Sequence, residues 1–592
     1  MASIRRLETA WLEETVPGEL MAAAGAAVAR VALSMWRDLP AQAPVILLVG
    51  PGNNGGDALV AGRILRAAGL KVLAAGMPAL LMHPPIAEDA RAAWEAWHAD
   101  GQIIHDIDSV AQWLWPQGAP RPEDEPLPLA EHLPPAAAEP SPWGARAVEL
   151  ADPAAVRPAL IVDGLFGIGL KGPLSGEVER LAGLVNRAGL PVLAIDVPSG
   201  LDADRGSPIG AQDAAVITAR QTVTMIADKP GLHTGAGLRH AGRVWVAPLS
   251  SLPLEDEWDR LVDESTDSAP GVLLTAPLVA VLLPRREHDA HKGQGGDVLV
   301  IGGRLGMAGA ARLAAQGAAG AGAGRVWLVV QADDPLIQET GTSPVSGLAA
   351  DGSGQAPVDP RHPEIMRHSW PAMSDGHGAS GETGEDCSTL PGVQPVLVIG
   401  CGLGRDGTAQ QWLARALNSQ APLVIDADAL GLLDEVPEAS QAPCCVLTPH
   451  PLEAARLLDL PVNEVLADRI GCARRLATQH EAVVVLKGAG TVVAAPDGRY
   501  AINTSGHPVL ATAGTGDVLA GTIAALLAGL LRLGCPPDEA AWQAACAGTW
   551  LHGRAGECLA EHWGPRGVPA SALVAQYPAI IRMLLRCARA TC

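Results

Sequence analysis

Val45-Ile46-Leu47-Leu48-Val49 runs straight into Gly50-Pro51-Gly52-Asn53-Asn54-Gly55-Gly56-Asp57 and from there into an Ala-, Leu- and Arg-rich stretch with helical spacing. A short unbroken apolar run bounded by glycine predicts a strand buried on both faces, and strand, glycine turn and helix in that order form the building unit of a parallel sheet. The glycines let an anion approach the amides at the start of the helix, where unpaired N–H groups and the helix dipole favour negative charge. Gly50, Gly52 and Gly55 satisfy the GxGxxG dinucleotide spacing in the right context. The next predicted strand, Lys71 to Ala75, is not followed by the acidic residue that would hold a ribose. Asn53, Asn54 and Asp57 nevertheless add two amides and a carboxylate, more polar chemistry than turn and cap roles require.

The same plan recurs along the chain. Strands are expected at Leu160 to Asp163 and Pro191 to Asp196 in the first half. In the second they are expected at Asp297 to Ile301, Arg325 to Val330, Val396 to Ile399, Leu423 to Asp426 and Ala482 to Leu486. The alternation with Ala-rich helical stretches predicts an α/β protein: an N-terminal Rossmann-like three-layer αβα domain followed by a second α/β domain. A Pro-, Glu- and Ala-rich stretch at about 117–143 and a Gly-, Ser-, Asp- and His-rich one at about 348–390 are expected to be surface insertions. The acidic run Leu254 to Ser268 reads as a linker, which places domains at 1–250 and 271–592 with 251–270 between them.

Composition narrows the function. At 592 residues two or three domains are the prior, and 48% hydrophobic residues suffice for ordinary cores. A formal charge of −22 is the opposite of what a phosphate-backbone binder carries, so nucleic-acid partners are not expected. The N-terminal MASIRRLETAWLEE has no apolar core, and no apolar run approaches membrane-spanning length without Gly, Pro or charge. A cytoplasmic location and no membrane partner are expected. All ten cysteines lie from Cys387 onward without a CxxC pair, which fits neither a disulfide framework nor a zinc site. Only five of the 42 basic residues are lysines, and Lys171, Lys229, Lys292 and Lys487 all sit in Gly-rich segments.

Asp163-Gly-Leu-Phe-Gly167-Ile168-Gly169-Leu170-Lys171-Gly172-Pro173 puts a carboxylate at a strand end ahead of a flexible basic loop, and Asp196-Val-Pro-Ser199-Gly200 ends another strand. Such groups converge where α/β sheets bind ligands, at the carboxyl ends of their strands. In the second half, His291-Lys292-Gly293, Gly400-Cys401-Gly402-Leu-Gly404, Asp426-Ala-Asp428 and Thr448-Pro-His450-Pro-Leu-Glu453 repeat the arrangement. His450 alone would more readily be read as a structural histidine. Ala511-Thr-Ala-Gly514-Thr515-Gly516-Asp517 enters an apolar helix, offering main-chain amides to phosphoryl charge and a carboxylate able to take a proton from a hydroxyl. Val483 to Leu486 ends in Lys487-Gly488-Ala489-Gly490-Thr491, a basic glycine loop suited to nucleotide contacts.

GNNGGD, DGLFGIGLKG and DVPSG, in this order, resemble the NAD(P)H-hydrate epimerase family over about residues 5 to 250. The resemblance implies that Asn53, Asn54, Gly55, Gly56, Asp57 and the loop Gly167 to Pro173 hold the hydrated dinucleotide. It further implies that Asp196 is the catalytic contact and that Asn54, Asp163 and Ser199 coordinate K+, oxygen donors being what a hard cation takes. Two departures are alanines at 22–24, where the family helix carries an acidic residue, and Ala58 in place of a further glycine. HKGQGGDVLVIGG, GCGLG, DADAL, TPHP, VVLKGAGT and ATAGTGD are similar to the ADP-dependent NAD(P)H-hydrate dehydratases, with the ribokinase-like fold, over about 275 to 585. Here the resemblance implies that Lys487, Gly488, Ala489, Gly490, Thr491 and Gly516 bind the nucleotide, that Ala310, Gly402, Gly404, His450 and Asp517 face the hydrate, and that Asp517 is catalytic. Cys401 stands where that family commonly has Pro, and Ser505 to Val509 departs from its usual turn.

Together the halves resemble bifunctional NAD(P)H-hydrate repair enzymes. The resemblance implies epimerisation of the R and S hydrates, then ADP-dependent dehydration of the S form to NAD(P)H with release of AMP and phosphate, with Mg2+ accompanying ADP. NADHX, NADPHX and ADP are the expected partners, and self-association is expected. Two other readings are a ribokinase-like vitamin-precursor kinase fused to a dinucleotide-binding domain, and a non-catalytic dinucleotide-sensing scaffold.

Overall fold

The computed structural model describes residues 17–37, 39–40, 43–115, 158–249, 271–330, 361–367, 394–436 and 444–590. The acidic linker and the stretch 117–143 lie outside these residues. The chain forms two compact units, residues 1–232 with 236–266, and residues 233–235 with 267–592.

The first unit is built on seven strands: β1 Val45–Val49, β2 Val72–Gly76, β3 Ile104–Asp106, β4 Leu160–Gly164, β5 Val192–Ile195, β6 Gln221–Met225 and β7 Arg243–Ala247. They are ordered β3-β2-β1-β4-β5-β6-β7, and every pairing is parallel. This is the doubly wound Rossmann order, with its reversal between β1 and β4. In β1 the side chains of Val45, Leu47 and Val49 enter one core with the helices Glu19–Trp36 and Asn53–Ala67, while Ile46 and Leu48 enter another with the helix Gly176–Arg187. A strand covered on both faces has no polar side, which is why it reads as a continuous apolar run. Each fully buried Leu or Ile contributes about 1.5–3 kcal/mol.

The second unit has ten strands: β8 Val272–Leu274, β9 Asp297–Ile301, β10 Arg325–Val329, β11 Ile365–Arg367, β12 Val396–Ile399, β13 Leu423–Ile425, β14 Cys445–Leu447, β15 Val483–Leu486, β16 Val492–Ala494 and β17 Tyr500–Asn503. Their order is β11-β10-β9-β12-β13-β14-β15-β16-β17-β8. Pairing is parallel from β11 to β15 and antiparallel at β15–β16 and β16–β17. Both units are therefore α/β, as expected. β11 falls inside the stretch expected to be a surface insertion and adds an edge strand to the sheet; three residues, Ile-Met-Arg, are too few to show a period. The apolar helix Thr515–Arg532 packs in the core against β9, β12 and β13. It and Glu19–Trp36 are, among the described residues, the helices long and apolar enough to cross a membrane; 78% and 50% of them respectively are buried inside the fold.

Two candidate active sites

The first site lies at the reversal point of its sheet. Gly50 and Gly55 close the turn after β1 so tightly that a Cβ on Gly50 would stand 1.7 Å from the carbonyl oxygen of Leu165, and one on Gly55 2.0 Å from that of Gly50. The sequence places Asn53 to Asp57 in a turn before the helix; the structure makes them its first turn, with Gly52 as the N-cap. The absence of side chains at Gly55 and Gly56 lets that turn settle on Gly50 and on the Met21 side chain. The two glycines thus serve packing, while Asn53, Asn54 and Asp57 line a cavity of about 860 Å3.

The same cavity is walled by Gly167, Ile168, Gly169, Leu170 and Lys171 from the loop after β4, by Asp196 after β5, and by Leu20, Met21 and Ala24 from the first helix. Gly172 and Pro173 are not among the lining residues. Ala24 gives the wall an apolar surface where the related helix is expected to be acidic. Asp196 is 6% exposed and has φ 66°, a left-handed backbone that Asp tolerates better than most side chains. Its Oδ2 accepts from the Ile168 N–H at 3.3 Å and its Oδ1 from the Met225 N–H at 3.4 Å. Lys229, singled out in the sequence only as a lysine in a glycine-containing segment, is a missed site residue. Its Nζ stands 2.8 Å from Asp196 Oδ1.

Behind the cavity Asp163 is fully buried. Its Oδ1 accepts from Ser199 Oγ at 2.7 Å and its Oδ2 from the Ser199 N–H at 2.9 Å. Burial pushes its carboxyl up to about 6 despite these bonds. Asn54 donates to the Ile195 carbonyl at 2.8 Å, and its Oδ1 lies beside Gly167, where a Cβ would approach it to 2.6 Å. Asp163 and Ser199 are thus directly bonded, and Asn54, in the first turn of its helix, lies against the loop that carries Gly167.

The second site occupies the carboxyl ends of β9, β12, β13, β14 and β15. Asp426 follows β13, is buried, and accepts at Oδ1 from Lys487 Nζ at 2.6 Å and Thr448 Oγ1 at 2.7 Å. Its Oδ2 faces the Cys401 thiol at 4.0 Å, and Cys401, Asp426 and Asp517 bring their ligand atoms within 4.8 Å of one another. Asp517 stands in the first turn of the helix Thr515–Arg532, whose N-cap is Gly514 at φ 90° rather than a side-chain cap. Burial, and then the Asp426 carboxylate, push Asp517 up to about 6. Burial alone would lower Lys487, but Asp426 and Glu453 outweigh it and hold the ammonium above its usual value. A Cβ on Gly516 would lie 3.3 Å from Lys487 Nζ, so the helix start, the lysine and both aspartates form one cluster.

His450 caps the helix Pro451–Leu457, its Nδ1 accepting from the Leu452 and Glu453 amides while Glu453 returns a bond to the His450 N–H at 2.8 Å. Burial, and then Lys487, lower its pKa, which keeps it neutral. Gly402 and Gly404 adopt φ 63° and 82°, and Gly402 faces Ala310. Asp428 accepts the Gly404 N–H at 3.0 Å. Thr491 Oγ1 closes the loop after β15 by donating to the Gly488 carbonyl at 2.9 Å. Lys487 therefore belongs to the carboxylate cluster, whereas Gly488 to Thr491 form the adjoining turn. Asp426, Thr448 and Glu453 were visible as strand-end polar groups; their convergence on one lysine was not.

Two doubly wound units, each with an aspartate paired or clustered with a lysine at the carboxyl ends of parallel strands, define a two-site α/β enzyme built for nucleotide ligands. Residues 17–231 match the family model described as YjeF-related protein N-terminus, and 298–579 the model described as NAD(P)H-hydrate dehydratase. The chain is 35% identical over 571 residues to the bifunctional NAD(P)H-hydrate repair enzyme Nnr of Coxiella burnetii, covering 96% of each chain. It is 33% identical to that of Escherichia coli, covering 95% of this chain and 89% of the relative. Among solved structures it is similar to the ADP/ATP-dependent NAD(P)H-hydrate dehydratase of Bacillus subtilis co-crystallised with ATP and Mg2+, at 28% identity and TM-score 0.42, over 53% of this chain and 99% of that one. The chain belongs to the family of bifunctional NAD(P)H-hydrate repair enzymes.

Proposed function

We propose that the first site interconverts the R and S forms of NADHX and NADPHX, and that the second returns the S form to NAD(P)H with consumption of ADP. The observation that carries this is the cluster of Asp517, Asp426 and Lys487 at a helix start, beside glycine turns able to admit phosphates. A hydroxyl on the reduced ring is a poor leaving group. Asp517 takes its proton as the hydroxyl oxygen attacks the terminal phosphorus of ADP, and AMP leaves. The ring nitrogen then expels phosphate, and loss of the neighbouring C–H proton restores the double bond. Atoms balance as hydrate plus ADP giving NAD(P)H, AMP and phosphate. Lys487 and the amides of Gly514 to Gly516 meet the charge that builds on the transferring phosphoryl group.

In the first site Asp196 holds or releases a proton at the ring hydroxyl, so that water leaves one face and returns to the other. Asn53, Asn54, Asp57 and the loop Gly167 to Lys171 orient the dinucleotide in the 860 Å3 cavity. The donor set of Asp163, Ser199 and Asn54 fits K+, because a fully buried carboxylate held by a hydroxyl and an amide gains most from a hard cation. Bound there, K+ would fix the loop carrying Gly167. Mg2+ accompanying ADP would be held by the carboxylates of Asp426 and Asp517 and would neutralise ADP charge.

The same reading assigns the epimerase to 1–250 and the dehydratase to 271–592, places the protein in the cytoplasm and expects a homo-oligomer. Supplying R-NADHX with ADP tests the function. NADH absorbance returns with the intact chain, and is lost for the R epimer alone when Asp196 is replaced by Ala.

A further inference from the structure

We infer that Lys229 is a positioning residue of the first site, acting on the reaction through Asp196. The inference rests on the epimerase reading above and names a residue that reading does not use.

Lys229 is the most completely enclosed of the chain's five lysines for which exposure matters here: its side chain is 1% exposed. Burying an ammonium is costly unless every proton finds an acceptor. Lys229 Nζ has four acceptors within reach: Asp196 Oδ1 at 2.8 Å, Thr224 Oγ1 at 2.6 Å, and the carbonyls of Met225 at 2.9 Å and Ala227 at 3.2 Å. An ammonium has three protons. Lys229 borders the cavity, but with four oxygens already competing for these protons none is left unshared, so its charge reaches the reaction through Asp196.

What the cradle can do is fix its one charged partner. Three of the four acceptors lie at the end of β6 or just beyond it, and the fourth is Asp196 at the end of neighbouring β5. The ammonium therefore ties the two strand ends together at the cavity wall. The Asp196 carboxylate needs such a tie, because the backbone beneath it is left-handed at φ 66° and its bonds from the Ile168 and Met225 amides are long at 3.3 and 3.4 Å. The short contact to Lys229 sets which way the carboxylate faces and supplies the counter-charge that lets it sit 6% exposed. The lysine's charge is thereby directed at the carboxylate in the cavity wall that the epimerisation uses.

The test uses the full chain and pure R-NADHX, with epimers separated by chromatography in the absence of ADP. The rate on pure S-NADHX with ADP counts the correctly folded second domain in every sample. Lys229→Met is expected to lower kcat for epimerisation about 100-fold, in the range for losing a positioned acid–base group, with KM within about threefold of wild type. Lys229→Arg keeps the charge but not the four-oxygen fit, and is expected to recover about tenfold of that loss. Asp196→Asn is expected to lose more than Lys229→Met, and the double variant Asp196→Asn with Lys229→Met, which leaves no charge unpaired, is expected to match Asp196→Asn within about threefold. A Lys229→Met enzyme with wild-type kcat, or a double variant whose loss is the product of the single losses, overturns the inference. If Lys229→Met does not fold, a double variant within about threefold of Asp196→Asn supports the inference and one that loses more than that overturns it. A wild-type chain that leaves R-NADHX unchanged contradicts the epimerase reading itself.

Discussion

Asp517→Asn is expected to make the second domain more stable while stopping its chemistry. Asp517 is half-buried, and burial together with the Asp426 carboxylate raises its pKa from 3.8 to about 6. That rise corresponds to at most about 3 kcal/mol carried by the folded state once the group is ionised. The sign follows from the direction of the shift. Below pH 4 the carboxyl is protonated folded and unfolded, and the cost is absent; it grows as pH rises from 4 to 6 and is complete above 6. An amide of nearly the same shape carries no charge at any of these pH values. Asp517→Asn should therefore raise the melting temperature of the second domain by several degrees at pH 7.5 and by almost nothing at pH 4. Turnover moves the other way. With no group to take the hydroxyl proton, kcat for NADH recovery from S-NADHX and ADP should fall 100- to 10,000-fold, with ADP still bound. In wild type, the acid limb of the pH–rate profile should lie near pH 6. A variant that is less stable at every pH, or that keeps kcat within threefold, refutes the assignment of Asp517 as a strained, proton-accepting carboxylate.

Lys487→Met leaves Asp426, whose side chain is 2% exposed, without its cation; a loss of about 3–5 kcal/mol of stability and a large rise in KM for ADP are expected, read by thermal melts and dehydratase kinetics. Gly167→Ala drives a Cβ to 2.6 Å from Asn54 Oδ1, which is itself anchored to the Ile195 carbonyl, so epimerase activity should fall at least tenfold with the dehydratase rate unchanged. Replacing KCl by choline chloride should lower the melting temperature of the first domain more at pH 8 than at pH 5, because Asp163, raised to about 6 by burial, is ionised only above that value and only then needs a cation. Equal melting in both salts at both pH values would remove K+ from the account.

The sequence made visible those parts of the fold whose local pattern has a single physical explanation. The strands β1, β9 and β12 fall on their predicted residues because both faces are covered and, apart from Asp297 at the start of β9, every residue in them is apolar. β6 was missed because Gln-Thr-Val-Thr-Met carries Thr222 and Thr224 as buried polar residues, bonded to the Ala241 carbonyl and the Lys229 ammonium, partners that the strand's own pattern does not show. β7 lies at the sheet edge with Trp245 and Val246 exposed, so its alternation does not mark one buried face. In the sites, the glycine turns announced where ligands approach, but not which glycines face them: Gly55 and Gly56 proved to be contacts between main chain and side chain within the protein. The pairings made by Lys229 and Asp426 were beyond reach for a different reason. Their roles come from partners 33 and 61 residues away, Asp196 and Lys487, which only the strand order brings together. Cys401 buried between two carboxylates, in place of an expected proline, likewise has meaning only once Asp426 and Asp517 are seen beside it.

The central claim is that two separate carboxylate sites on one chain act in sequence on one hydrated cofactor. The most direct measurement follows absorbance at the NADH band after adding ADP to a mixture of R- and S-NADHX, with wild type, Asp196→Ala and Asp517→Asn side by side. The account predicts full recovery with wild type, recovery of only the S fraction at early times with Asp196→Ala, and recovery at least 100-fold slower with Asp517→Asn. Full and equally fast recovery with Asp196→Ala, or recovery with Asp517→Asn within threefold of the wild-type rate, would contradict it.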